Sequence, residues 1–412
     1  MRTIRPLLAT DQAAFTFLMS NAYPGFKLSE DKRAVIFDYR LSHDDTVLYG
    51  SFDGETMVGS YRRHRYEMNL YGRMLPVSGL GGVAVDMPNK KEKVCLEMVK
   101  DFHRESLAKG AIFATLYPFD IGFYRHMGYG VCSVIYQYKM RIGDLPKGDK
   151  SGCAWITDTK EWLAYYNAYA SRTHGMMRRP DDFGALGVLI GAPPKKRVGV
   201  WREGRMTGYM ELDFQAIGAE NPFHYRLDVR EILADTPEDL GALLAFLRDQ
   251  EDQVQELILH SFDPMLHLSL LSCRSTEPGK SILDEFHLGP RAGYGLMIRV
   301  LDLARLRTVL QDLRFGQADF EVVFDLHDDL LPQNNGPFPF VVERGRLVSR
   351  PASEKAVHIA LEMADFSPFI AGAVSLTELH HHQKLQGCAD APLPELDRAF
   401  GLHKPLECWT IF

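Results

Sequence analysis

Along the first half of the chain, runs of apolar residues alternate with turn-forming clusters, a pattern that predicts strands and amphipathic helices in close succession. Residues 4–8 read as a first strand. Thr10 can cap a helix from Asp11 to about Asn21, with Phe15, Phe17, Leu18 and Tyr23 on its apolar side, and residues 31–41 read as a second helix. An antiparallel meander follows: strand 46–52, the turn Asp53-Gly54, and a returning strand 56–68. After a turn near Tyr71-Gly72 comes the central run Leu80-Gly81-Gly82-Val83-Ala84-Val85, then a polar loop 86–93. Val94, Met98 and Phe102 repeat at i, i+4 and i+8, which predicts a helix over 94–109 held to a sheet by one face. Residues 111–117 read as the next strand.

The same order recurs further on. A helix over 159–173 carries Trp162, Leu163, Tyr165, Tyr166 and Tyr169. A hairpin turns at Arg202-Glu203-Gly204-Arg205, a strand spans 225–232, and Thr236-Pro237-Glu238-Asp239 opens a helix before a strand at 254–259. The final third mixes strands at 297–302, 320–326, 340–348 and 357–361 with helices at 303–313, 365–372 and 393–400. These patterns predict an α+β chain of three units: 1–147, 148–292 and 293–412.

Composition narrows the class. The 412 residues are 46% hydrophobic and 25% charged, ordinary for a globular protein. A net charge of −7 gives no reason to expect nucleic acid as a partner. The six cysteines are scattered without a C-x-x-C pair, no apolar run approaches the length of a membrane helix, and the N-terminus has no apolar leader. A cytoplasmic protein with reduced thiols and no membrane contact is the expectation. His380, His381 and His382 are consecutive, point different ways on a helix, and predict no metal site.

The candidate chemistry lies in the loop before residue 94. A helix N-terminus presents unpaired N–H groups and a positive dipole end, and Lys90, Lys91 and Lys93 stand beside it. That combination suits a phosphate; lysines alone equally describe a solvated face. The corresponding helix start of the second unit carries Asp235, Glu238 and Asp239 and would repel one. Arg62, Arg63, His64 and Arg65 on the returning strand could meet an anionic partner, but the favoured expectation is that alternate residues face water at a sheet edge. The end of the chain, Glu407-Cys408-Trp409-Thr410-Ile411-Phe412, is apolar to its last residue and predicts a docked tail.

Val83-Ala84-Val85, the lysine loop and Phe123-Tyr124-Arg125-His126-Met127-Gly128-Tyr129-Gly130 resemble the GNAT-type acetyltransferases, and more narrowly the enhanced intracellular survival family. That family joins two GNAT-like domains, the second degenerate, to a sterol-carrier-protein-like domain. The resemblance implies tandem mixed-sheet GNAT domains, acetyl-CoA as co-substrate, no metal, and a homo-oligomer. It implies coenzyme contacts from Val83, Ala84 and Val85 on the strand and from Lys90, Lys91, Lys93 and Val94 at the loop and helix start. Lys93 stands where the family has glycine. By the same resemblance Tyr124 is the general acid toward the thiolate, the Phe412 carboxylate is the base, and the sheet splays after the Val-x-Val run. The function expected is N-acetylation of a primary amine on a small cationic acceptor, aminoglycoside-, polyamine- or lysine-like. Two alternatives stay open: a silent GNAT-derived binding protein, and a carrier of apolar ligands through the C-terminal unit.

Overall fold

The computed structural model describes residues 2–217, 224–276, 286–317, 319–388, 391–401 and 406–412. The first unit begins with β1 (Thr3–Pro6), α1 (Gln12–Ala22) and α2 (Glu30–Leu41). The meander β2 (Thr46–Asp53), β3 (Thr56–Leu70) and β4 (Arg73–Val85) follows, then α3 (Val94–Ala108), β5 (Phe113–Leu116), the short α4 (Ile121–Arg125) and β6 (Gly130–Val131). Strands β1 to β4 pair antiparallel in sequence order, and β5 lies parallel to β4 after the α3 crossover. Val94, Met98, Val99 and Phe102 of α3 are buried against the sheet, as the spacing predicts. Helices α1 and α2 pack together through Phe15, Leu18 and Phe37.

Strand β7 (Val134–Arg141) leaves this sheet and pairs in a second one. There it joins β8 (Cys153–Trp155), β9 (Lys196–Arg202), β10 (Arg205–Ala216), β11 (Tyr225–Ala234), β12 (Val254–Ser261) and β13 (Arg291–Tyr294). Helices α5 (Thr159–Ala170), α6 (Ala185–Leu189) and α7 (Pro237–Arg248) accompany it. Here too an antiparallel meander, β8 to β11, is followed by a helix and a parallel strand. Pro237 at the start of α7 and the Thr236 side chain accepting from the Asp239 N–H explain why the helix begins there.

Strand β14 (Met297–Val300) returns to the first sheet, between β5 and β6. A third sheet contains β15 (Phe320–His327), β16 (Gly336–Glu343), β17 (Arg346–Val348) and β18 (Val357–Glu362). Around it lie α8 (Leu303–Gln311), α9 (Met363–Ile370), α10 (Leu376–His381) and α11 (Leu393–Phe400). Its phenylalanines 324, 340, 366, 369 and 400 share one core with Met68, Val77, Phe113 and Ile298 of the first sheet. The overall architecture is therefore α+β, with two larger mixed sheets and a smaller mixed sheet in the C-terminal unit.

An ion pair sits in that shared core. Arg299 on β14 donates to both oxygens of Asp328 at 2.6 and 2.7 Å, and neither side chain is more than 1% exposed. Asp328 also accepts from the Leu330 and Leu331 N–H groups and from Asn334 Nδ2. A buried charge without its partner is costly, so Asp328→Ala should destabilise the protein by about 3–5 kcal/mol. Asp329→Ala, on an exposed neighbour, should leave the midpoint nearly unchanged. Urea denaturation of the two variants beside the parent checks both.

Candidate active site

The site starts from a bulge. Ser60 pairs with Ala84 and Arg62 with Gly81, so Gly82 and Val83 on β4 face the single residue Tyr61 on β3. Gly82 has φ +54°, a left-handed conformation that glycine adopts without strain. Pairing between β4 and β5 covers Val77 to Leu80 and goes no further. From Gly81 to Val85 the β5-facing edge of β4 is thus open, and its backbone groups are available to a ligand. The sheet splays before the Val-x-Val run rather than after it, because the bulge turns β4 away at Gly82. Val83 and Val85 are half-buried and Ala84 is buried. The Val83 carbonyl already accepts a hydrogen bond from the Tyr23 hydroxyl at 2.5 Å.

Beyond β4, Lys90, Lys91 and Lys93 are all exposed, and none forms an ion pair among the described residues. Lys91 and Lys93 have φ of +68° and +64°. At Lys93 the turn into α3 takes the left-handed region that glycine adopts freely, and here a lysine adopts it at some cost. No side chain caps the start of α3 at Lys93, so its first N–H groups face outward beside buried Val94. The acids nearest the loop, Glu92 and Glu97, are held by Arg2 at 2.8 and 3.2 Å.

Tyr124 lies in α4, which Asp120 caps by accepting from the Phe123 N–H. Its ring packs against Phe119, Phe123 and Tyr129. It is 3% exposed, yet it lines a cavity of about 480 Å³, and its hydroxyl makes no hydrogen bond to the described residues. Burial, with Cys95 and Tyr129 nearby, pushes this phenol well above its usual range, so it stays protonated.

The tail reaches the same cavity. Tyr117 donates to the carbonyls of Cys408 and Thr410 at 3.3 and 3.1 Å, and Arg179 donates to that of Trp409 at 3.0 Å. The Thr410 hydroxyl meets the Tyr166 hydroxyl at 3.0 Å. Arg179 is itself fixed by Glu231 and lies over the Tyr166 ring. Phe412 is half-buried, and its ring rests on His64, Tyr66 and Tyr117. A Cβ at Gly79 would come within 2.7 Å of that ring, so glycine makes the seat on β4. The structure therefore brings Tyr124, Val83 and Phe412 to one cavity, with the lysine loop next along the chain from β4.

Several lining residues escape the sequence pattern. The alternation of Arg62–Arg65 toward water at a sheet edge is not what the structure shows. Strand β3 is interior, between β2 and β4, and only Arg65 of the four is exposed. Arg62 lies along Gly81 and Gly82, where added Cβ atoms would be 3.2 and 3.0 Å from its guanidinium. Arg33 and Arg40 reach the same cavity from α2, and no Asp or Glu side chain lines it. The glycines at 79, 81 and 82 were the available signal, since strands rarely carry three unless something approaches closely. In the second unit β11 pairs with β12 only as far as Val229; Glu231 further along β11 is taken up by buried Arg179, and Asp235 and Asp239 stand at the α7 start. Among the described residues no cluster could hold a metal ion, and no helix is long and apolar enough to cross a membrane.

Family models match two parts of the chain: an acetyltransferase (GNAT) domain over residues 3–132 and a sterol carrier protein domain over 306–407. The chain thus carries a GNAT-type acetyltransferase domain at its start and a sterol-carrier-type domain at its end. Its full-length fold is similar to a probable N-acyltransferase from Enterococcus faecalis (17% identity, TM-score 0.77) and a GCN5-related N-acetyltransferase from Anabaena variabilis (13%, 0.81). It is equally similar to Eis1 from Mycobacterium abscessus (19%, 0.76), and in all three comparisons 100% of each chain is covered. No curated protein matches in sequence. The chain thus combines tandem GNAT-like sheets with a sterol-carrier-like C-terminal unit, and the GNAT fold is one that uses acetyl-CoA.

The seat of Phe412 gives a direct test. Gly79→Ala should crowd the ring, cost about 1–3 kcal/mol and speed release of Phe412 by carboxypeptidase. Gly25→Ala, where nothing lies within 4 Å of the added carbon, should do neither.

Proposed function

We propose that this chain transfers the acetyl group of acetyl-CoA to a primary amine by direct attack in a ternary complex. The observation that carries the reading is the meeting of three things at one cavity: the open edge of β4 from Gly81, the unbonded hydroxyl of Tyr124 and the docked Phe412. Pantetheine would pair with the free edge at Val83 and Ala84, and the Val85 N–H would hold the thioester carbonyl. Backbone donors fixed before the reaction stabilise a developing oxyanion strongly. The pyrophosphate would lie at the start of α3, near Val94, with Lys90, Lys91 and Lys93 around it. That Lys93 already has a glycine-like φ supports a loop that keeps its phosphate-binding shape, and favours the enzyme over a silent binding protein.

The amine must lose a proton to attack. The carboxylate that ends the given chain at Phe412 is the proposed acceptor of that proton. The nitrogen then bonds to the carbonyl carbon, the tetrahedral intermediate collapses, the C–S bond breaks, and Tyr124 protonates the departing thiolate; the second proton that the nitrogen sheds in becoming an amide restores the Tyr124 phenol, and the carboxylate passes its proton to solvent. A phenol held well above its usual range keeps its proton, and so has one to give, at every working pH. The polycationic acceptor that the family resemblance suggests finds no Asp or Glu on the cavity wall, so the proposal is for an amine of another kind. Assembly into a homo-oligomer belongs to the same reading, and light scattering on the eluted protein tests it.

Titration calorimetry with acetyl-CoA tests the reading first: micromolar binding is expected, and none at millimolar coenzyme overturns it. Tyr124→Phe should then lower kcat by roughly 10²–10⁴-fold, the range for losing a positioned acid, with coenzyme affinity kept. Because the Tyr124 phenol is raised and not lowered, the parent's rate should show no alkaline fall below pH 10 that the variant abolishes.

A further inference from the structure

The cavity between α1, α2 and the β3–β4 strands has an unusual charge. Its wall is largely apolar and aromatic, with Phe15, Met19, Phe26 and Phe119 among its residues. Into it project the guanidinium groups of Arg62 and Arg40, and neither has an ion pair or a hydrogen bond to the described residues. The Nε atoms of both are buried without a partner. Arg33 is partly satisfied by the Phe26 carbonyl at 2.8 Å.

The nearby acids are engaged elsewhere or too far. Asp38 on α2 accepts from Gln12. Asp182 is taken up by Tyr39 and His43. Asp45 acts on Arg40 without forming an ion pair with it. The carboxylate of Phe412 pairs with neither arginine. Burial and the charge of Arg40 lower the Arg62 guanidinium to about 9, and burial keeps neighbouring His64 neutral. Two confined cations without an ion-pair partner are unfavourable unless something supplies one. Arginine pairs are suited to that task, because the planar fork of each can grip two oxygens of a carboxylate or phosphate.

We propose that this cavity binds an acceptor amine bearing an anionic oxygen group, a carboxylate or phosphate, held by Arg62 and Arg40 with its apolar body against the aromatic wall. The assignment of the cavity to the acceptor rests on the acetyl-transfer reading; the anion site itself does not. It predicts selection against polyamines and for amino acid-like or phosphorylated amines. At about 480 Å³ the space suits a small molecule with one ring or a short chain.

Amine-free probes separate the two claims. Calorimetry and thermal shift on the full chain would compare 3-phenylpropionate, phenyl phosphate, phenethylamine and spermidine, without acetyl-CoA. The expected result is that at least one acid binds ten-fold or more tighter than either amine and raises Tm. Which acid wins assigns carboxylate or phosphate. Arg62→Met should weaken that binding at least ten-fold, and Arg40→Met provides the same test should the first variant not fold. The proposal is overturned if phenethylamine or spermidine binds as tightly as the acids, or if acid binding survives both substitutions. Acid binding in a protein that transfers no acetyl group would defeat the enzymatic reading and leave the anion site standing.

Discussion

Strand β4 parts from β5 after Leu80, and the rest of the site is arranged around that parting. The cause is local. One additional residue in β4 opposite Tyr61, with Gly82 at positive φ, turns the strand so that it keeps β3 and loses β5. A sheet edge left open inside a protein must be covered or used. Here Tyr23 satisfies one carbonyl from the α1 side, while α3 and α4 flank the opening without closing it. The second unit keeps the meander and the crossover helix, and beyond Val229 its β11 carries Glu231, which a buried Arg179 pairs. The same arginine also holds the tail.

That double use of Arg179 links the units. The guanidinium satisfies Glu231, stacks on Tyr166 and grips the Trp409 carbonyl. Tyr117, at the end of the β5 segment, holds the same tail from the other side. Phe412 is thereby delivered to Gly79 by bonds from both sheets. Disturbing the second unit should therefore be felt at the first unit's cavity, although the second contributes no side chain to that cavity's lining.

Much of this was legible in the sequence. Alternation gave the meander, the i, i+4, i+8 spacing gave α3, and the apolar last residues gave a docked tail. Arg62 was not legible as a wall residue. Alternation tells which residues share a face, but not whether that face meets water, and β3 turned out to be covered on both sides. Arg33 and Arg40 were hidden for a related reason: helical periodicity names a polar face without saying what lies opposite. Lys93 is the reverse case. Its identity departs from the family pattern, but its backbone does not, and a residue's φ is invisible in a string of letters.

Charge distribution is the last step. A chain of net charge −7 suggests affinity for cations, and that holds for the surface field as a whole. The cavity follows another rule. In a confined, poorly hydrated space a few nearby charges outweigh the sum of distant, screened ones. Arg62 and Arg40 therefore dominate what the wall attracts, whatever the remainder of the molecule carries. On the proposed acetyl-transfer reading, an acceptor with its nitrogen near Tyr124 and Phe412 would need an apolar body to cross the aromatic wall and an anion to reach the arginines. Those two demands together select against flexible polyamines, one of the acceptor kinds that the family resemblance implies.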